Sequence, residues 1–192
     1  MWLLASPWLS PLLTRDRALL SLQLLTCTIN NLYIREETGM TSTTSTRTED
    51  FTTVLNLPSS PDTASALFTS AAGVSRWWGP TEGDGAVGGT LVTSFGDHGV
   101  NAMRVLEAGP TRVVWESIAP DGTTPTGHTQ EWLGTTMEFD IVPADSGTEL
   151  RFRHAGLTSQ LECWDSCVAA WTYFMASIET FAKTGTGTPF GV

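Results

Sequence analysis

Apolar residues across positions 159–183 recur every three or four places, which predicts one long amphipathic helix. Ser159 and Glu162 have the spacing of a capping box at its start, and Lys183 and Gly185 are typical of its end. We expect such a helix to pack against a sheet. Its apolar stripe consists of Trp164, Val168, Trp171, Met175, Ile178 and Ala182, widened by Cys167, Phe174 and Phe181.

Upstream of this helix, apolar and polar residues alternate in a way that predicts β-strands. Short turns separate most of them, so we expect an antiparallel sheet with one apolar face, which the helix covers. Ser60 and Pro61 should begin one or two short helices after the first strand. In the strand at residues 130–142, Gly134 should form a bulge that places Trp132 on the same face as the other apolar side chains. The predicted strands cover residues 51–57, 90–95, 101–107, 112–116, 130–142 and 148–154.

The first 48 residues lack this regular pattern and are predicted to be an extension that is disordered or absent from the natural product. Their apolar runs are shorter than the roughly 18 to 20 residues of a spanning helix, and no basic residue precedes the first run as in a signal peptide. A polar Ser/Thr stretch follows Met40, where we expect the natural protein to begin. The domain itself is expected to cover residues 49–185, with a tail at 186–192.

The charge balance argues against two classes of partner. Twenty acidic and ten basic residues give a formal charge of −10, which repels the phosphates of nucleic acids and anionic membrane surfaces. Three cysteines do not form a disulfide framework, so a reducing compartment, the cytoplasm, is the expected location.

Two motifs match part of a known binding-site pattern but lack the neighbouring elements or residues that such a site needs. Residues 83–88 match G-x-G-x-x-G, but a predicted strand follows them where a dinucleotide site needs a helix. Cys163 and Cys167 lie one helical turn apart without a third Cys or His at matching spacing. We therefore predict neither a cofactor nor a metal site.

Four local signatures, taken in order, carry a resemblance to one protein superfamily: Arg76-Trp77-Trp78-Gly79, residues 87–90, residues 150–157, and Trp171 with residues 183–187. The chain is similar to the SRPBCC (START/Bet v 1-like) superfamily and, within it, to the family related to the C-terminal domain of the activator of Hsp90 ATPase. The resemblance implies an α+β helix-grip fold, in which a curved antiparallel sheet wraps around a long C-terminal helix and leaves a cavity between them.

The predicted strand phases point most ionisable side chains outward and leave His154, and Glu107 at the strand end, facing the interior. One indole of the Trp77–Trp78 pair is expected to pack inward and the other near an opening, whereas His98 and His128 should be solvated. The predicted ligand-binding residues are Trp77, Met103, Trp115, Phe139, Phe152, His154, Trp164, Trp171 and Met175.

An indole-rich lining with few polar groups favours a small hydrophobic or aromatic ligand. We therefore predict a binding protein without catalytic residues. The alternative is a cyclase, dehydratase or hydrolase of an aromatic or polyketide-like compound in which His154 moves the proton. A structural role for His154 and, through the family resemblance, a chaperone interaction at the outer sheet face are further interpretations. A homodimer or another protein partner also stays open.

Overall fold

The computed structural model describes residues 49–122 and 127–191, so the predicted extension and the Met40 start lie outside the described residues. Seven strands and four helices follow one another along this part of the chain. In chain order they are β1 Asp50–Leu57, α1 Pro61–Ser65, α2 Ala71–Val74, β2 Thr81–Gly83, β3 Thr90–Ser94, β4 Val100–Ala108, β5 Arg112–Ile118, α3 His128–Glu131, β6 Thr136–Ala144, β7 Gly147–Thr158 and α4 Trp164–Thr184.

The strands form one antiparallel sheet in the order β1-β7-β6-β5-β4-β3-β2. The first strand pairs with the last, while α1 and α2 carry the chain across to the opposite edge. The curved sheet and the long helix α4 confirm the predicted α+β helix-grip architecture. Only the short strand β2 has no counterpart among the predicted strands. None of the helices in the described part of the chain is long and apolar enough to cross a membrane.

Alternation along the strands separates an apolar face from a charged face, as predicted. Cross-strand neighbours such as Phe139 and Phe152 are both buried on the inner face. On the outer face, Arg112 lies within salt-bridge distance of three carboxylates and Arg153 of two. These partners are Glu107, Glu138 and Asp140 for Arg112, and Asp50 and Glu138 for Arg153.

The prediction that Glu107 faces the interior is wrong. The β4–β5 register shifts between Val105 and Glu107, so one extra residue enters β4 and the side chains after it change faces. Leu106 and Glu107 are exposed, and the Glu107 carboxylate lies 3.4 Å from the Arg112 Nε.

The predicted strand at residues 130–142 begins too early. Helix α3 and a turn occupy residues 128–135, and β6 starts only at Thr136. Gly134 has a φ of 78°, a left-handed conformation that suits a turn and that other residues rarely adopt. Trp132 is therefore buried from the end of α3 and not from a strand.

Helix α4 also begins later than predicted. It starts at Trp164 after a turn, and the backbone N–H of Cys163 donates a hydrogen bond to the Glu131 carboxylate, 2.9 Å away. The predicted capping box at Ser159 and Glu162 does not form because these residues precede the helix. The predicted end is confirmed: Gly185 is left-handed, with φ 80°, and its N–H bonds to the Phe181 carbonyl.

Candidate functional site

The space between the apolar face of the sheet and α4 is occupied by stacked indole rings. The Trp78 ring lies nearly parallel to three others, with centroid distances of 5.6 Å to Trp77, 6.0 Å to Trp115 and 5.5 Å to Trp171. Both Trp77 and Trp78 are fully buried, so the expectation that one of them lies near an opening is wrong. The turn after α2 directs both rings into the interior.

Phenylalanine rings extend this aromatic cluster along the sheet. Phe139 on β6 contacts Phe68, Trp115 and Phe152 at centroid distances of 4.3, 4.8 and 5.0 Å. Phe152 on β7 in turn lies 4.5 Å from the Trp171 ring of α4. Ring contacts therefore run from the segment between α1 and α2 across the sheet to the terminal helix.

His154 is fully buried beside this cluster, and both its ring nitrogens are hydrogen-bonded. Because an indole N–H can only donate, the bond of 3.0 Å from Trp171 Nε1 makes His154 Nδ1 an acceptor and places the proton on Nε2. His154 Nε2 then donates to Thr135 Oγ1 at 2.8 Å, and the Thr135 hydroxyl donates to the Trp132 carbonyl at 2.6 Å. This chain leaves His154 without a free polar atom.

Burial lowers the pKa of His154 to about 3, because the charged imidazolium loses its hydration and gains little from the carboxylate of Asp50. The ring is therefore neutral at physiological pH. A proton shuttle at His154 would first have to break its bond to Trp171 or to Thr135.

Trp132 belongs to the same cluster but was not among the predicted site residues. Its ring stacks on Trp171 at 5.8 Å and meets the His154 ring edge-on at 4.7 Å. The predicted strand at residues 130–142 gave Trp132 no such contacts. The only sequence signal was the pair Gly127 and Gly134, which could have marked the intervening residues as a separate short element.

The indole N–H groups of Trp115 and Trp132 are buried without a hydrogen-bond acceptor in the described part of the chain. The N–H of Trp132 faces the Cys167 thiol without forming a bond of normal geometry. By contrast, the N–H of Trp77 donates to the Leu67 carbonyl at 3.0 Å. Trp115 is therefore a donor held inside an apolar environment with its bonding capacity unused.

The remaining predicted lining residues differ in burial. Met103 and Met175 belong to the buried core, whereas Trp164, at the first position of α4, is only partly buried against it. The buried face of α4 is therefore centred on Trp171, Met175 and Ile178, and the side of the stripe containing Trp164 and Val168 lies at its margin.

Cys163 and Cys167 are buried free thiols. Burial raises the pKa of both thiols, which keeps them protonated and unreactive. No group of three or more His, Cys, Asp or Glu side chains within the described ranges is arranged to hold a metal ion.

The other two histidines lie outside this cluster. His98 is exposed, as predicted. His128 is half-buried against the Trp132 ring, 5.6 Å away, and burial lowers its pKa, so its predicted solvation is wrong.

Residues after α4 pack back onto the aromatic cluster. The N–H of Phe190 donates to the Trp78 carbonyl at 2.9 Å, and its ring contacts Phe95 at 5.5 Å. The N–H of Thr188 donates to the Ser177 hydroxyl at 2.8 Å. Residues 186–191, which we call the C-terminal strap, thus cover the cluster beside Trp78.

No protein-family model and no curated protein match this sequence. Solved structures do match, beginning with the Aha1 dimer from Colwellia psychrerythraea: TM-score 0.62, 23% identity, covering 72% of this chain and 99% of that one. The chain has the fold of this Aha1 protein, which we call the Aha1-like fold. Protein MLL2253 from Mesorhizobium loti shares the Aha1-like fold at TM-score 0.58 and 18% identity, covering 70% of this chain and 97% of its own.

The Aha1-like fold also occurs in DynU16, a protein of the dynemicin biosynthetic locus. Its TM-score is 0.55 at 17% identity, and the match covers 71% of this chain and 48% of DynU16. At these identities the comparisons establish the fold of this chain. The Colwellia protein was solved as a dimer.

Proposed function

We propose that the domain binds a small hydrophobic or aromatic molecule between the sheet and α4. The observation that carries this proposal is the nearly parallel, sideways-displaced stacking of Trp78 on Trp77, Trp115 and Trp171. Stacked aromatic pairs contribute about 0.5–1.5 kcal/mol each beyond their buried area. A flat ligand that inserts beside Trp78 replaces such contacts with equivalent ones, which offsets part of the cost of opening the stack.

Flexible side chains around the stack support the same proposal. Met103, Met137 and Met175 are buried in this core, and unbranched thioether side chains change conformation more readily than branched ones. The cluster can therefore adapt to a guest molecule by moving side chains while the sheet stays in place. The occurrence of this fold in a biosynthetic-locus protein, DynU16, is in keeping with a small-molecule ligand.

The state of His154 favours binding over catalysis. Its two ring nitrogens are engaged by Trp171 and Thr135, and burial holds its pKa at about 3. General bases work best when their pKa lies near the operating pH. We therefore assign His154 to positioning Trp171 within the ligand site.

The test is a titration with N-phenyl-1-naphthylamine, a neutral probe that fluoresces in apolar surroundings. We expect saturable binding near one probe per chain, and a change of at least about fivefold in the dissociation constant for Trp78→Phe, since about 1 kcal/mol of stacking is altered. Val54→Ala, on an exposed outer-face side chain, should leave the constant unchanged. A signal that never saturates, or equal constants in all three proteins, would contradict the proposal.

A further inference from the structure

The Trp115 indole N–H is an unusual group in this interior. Two other buried indoles use their donors: Trp77 bonds to the Leu67 carbonyl and Trp171 to His154 Nδ1. Trp115 is 0% exposed, yet its Nε1 has no acceptor among the residues that the structure describes. A buried donor without a partner costs about 1–3 kcal/mol, so native proteins rarely keep one without a reason.

The side chains that contact Trp115 provide no strong acceptor for its N–H. Its ring touches Phe139, Trp78 and Phe68 at centroid distances of 4.8, 6.0 and 6.3 Å. Its cross-strand neighbours are Val105 on β4, which has no polar side-chain atom, and Met137 on β6, whose thioether accepts only weakly. A molecule that enters the cluster with an acceptor atom would satisfy this N–H.

We infer that the Trp115 N–H is the polar anchor of the ligand site and selects an aromatic ligand that carries a neutral hydrogen-bond acceptor, such as a ketone or quinone oxygen. This inference rests on the proposed function. The ring plane of such a ligand stacks within the indole cluster while its acceptor oxygen meets Trp115 Nε1.

The electrostatics of the interior favour a ligand whose acceptor atom carries no charge. A carboxylate or phosphate at this depth loses its hydration and needs a cation to compensate. Arg112 and Arg153 lie on the outer sheet face among carboxylates, and His154 is uncharged. Among the described residues, the unpaired donors of the interior are thus the two neutral indole N–H groups of Trp115 and Trp132, which suit a carbonyl oxygen better than an anion.

Trp132 carries the second unpaired indole N–H but is the weaker anchor. The Cys167 thiol already lies beside that N–H, and the Trp132 ring contacts both the Trp171 and the His128 rings. Trp115 has no polar neighbour of this kind among its ring contacts and cross-strand partners, so the ligand gains more by bonding to it.

The experiment compares 9-fluorenone with fluorene, two flat probes of the same shape that differ in one carbonyl oxygen, by equilibrium dialysis. The ratio of their dissociation constants in each protein isolates the contribution of the carbonyl. We expect Trp115→Phe to reduce the preference for fluorenone by about tenfold, the equivalent of 1.4 kcal/mol for one buried hydrogen bond. The matched control is Trp77→Phe, which removes an N–H already bonded within the protein and should change the ratio less than about twofold.

Each outcome has a distinct meaning. If neither probe binds the wild-type protein, the proposed function fails. If both bind and Trp115→Phe leaves the ratio unchanged, the ligand site stands and the anchor is wrong. Fluorene-9-carboxylate should bind more weakly than fluorenone, and tighter binding would overturn the requirement for a neutral acceptor.

Indole ¹H–¹⁵N spectra of the wild-type protein give a second measurement that does not depend on the variants folding. One buried indole N–H resonance should move downfield with fluorenone and not with fluorene, as expected for a new N–H···O bond. Identical spectra with saturating amounts of the two probes would overturn the inference.

Discussion

His154 shows how a single buried side chain can fix several neighbours at once. Its Nδ1 accepts a hydrogen bond from the Trp171 N–H, and its Nε2–H donates one to the Thr135 hydroxyl. That hydroxyl in turn donates to the Trp132 carbonyl. The two stacked indoles at this end of the cluster are therefore held by one hydrogen-bonded chain. Protonation of His154 would disrupt it, because Nδ1 would become a donor facing another donor.

This arrangement predicts a loss of stability in mild acid. The pKa of His154 is 6.5 in the unfolded chain and about 3 in the folded one, so the unfolded state binds more protons as pH falls from about 6.5 toward 3. Between pH 7 and pH 5 we expect the free energy of unfolding to fall by about 2 kcal/mol. The lowered pKa of His128 acts in the same direction.

Urea unfolding at the two pH values measures the effect. His154→Gln should lose most of this pH dependence, whereas His98→Gln, at an exposed site, should retain it. Asp50 does not contribute to the pH dependence between pH 7 and pH 5. Burial raises its pKa, but the Gly156 N–H and Arg153 outweigh burial and lower it, so its contribution disappears only below about pH 3.8. An unchanged pH dependence in His154→Gln would contradict the prediction.

Helix α4 depends on another element for its first turn. The backbone N–H of Cys163 would be unpaired at the helix start, and the Glu131 carboxylate at the end of α3 accepts its hydrogen bond. A carboxylate near a helix N-terminus also interacts favourably with the helix dipole. Glu131 therefore couples the loop that carries Trp132 to the helix that carries Trp171.

We expect Glu131→Ala to lower the free energy of unfolding by about 1–2 kcal/mol, the usual cost of losing a helix cap. The matched control is Glu162→Ala, because Glu162 is exposed and precedes the helix; its effect should stay below about 0.5 kcal/mol. Chemical denaturation of the two variants distinguishes the observed cap from the capping box predicted by sequence. A larger loss in Glu162→Ala would favour the latter.

Across the described domain, its first strand and its last residues help to enclose one interior. Strand β1 closes the sheet against β7, and the C-terminal strap returns from α4 to cover Trp78 and Phe95. The aromatic cluster is thus bounded by elements from the beginning, middle and end of the domain.

Ending the chain after Gly185 removes the strap and its half-buried Phe190 ring. We expect this truncation to lower the free energy of unfolding by about 1–3 kcal/mol, as for the loss of one packed aromatic side chain. Tryptophan emission should also shift to longer wavelength as water reaches Trp78. Phe190→Leu, which keeps an apolar side chain in place, should retain most of the stability. If the truncated protein matches the full chain in both measurements, the strap does not contribute to the interior.

The sequence by itself determined the order of the elements, the long terminal helix with its glycine end, and the inward direction of Trp115, Phe139 and Phe152. These features follow from local periodicity, which reports the face that a helix or strand buries. Only the tertiary structure decided the role of Trp132, the cap from Glu131, the outward turn of Glu107 and the bonding of His154. Each of these depends on which distant residue arrives at a given position in space. A bulge or a loop changes which residues come into contact without altering the hydrophobic pattern of the sequence.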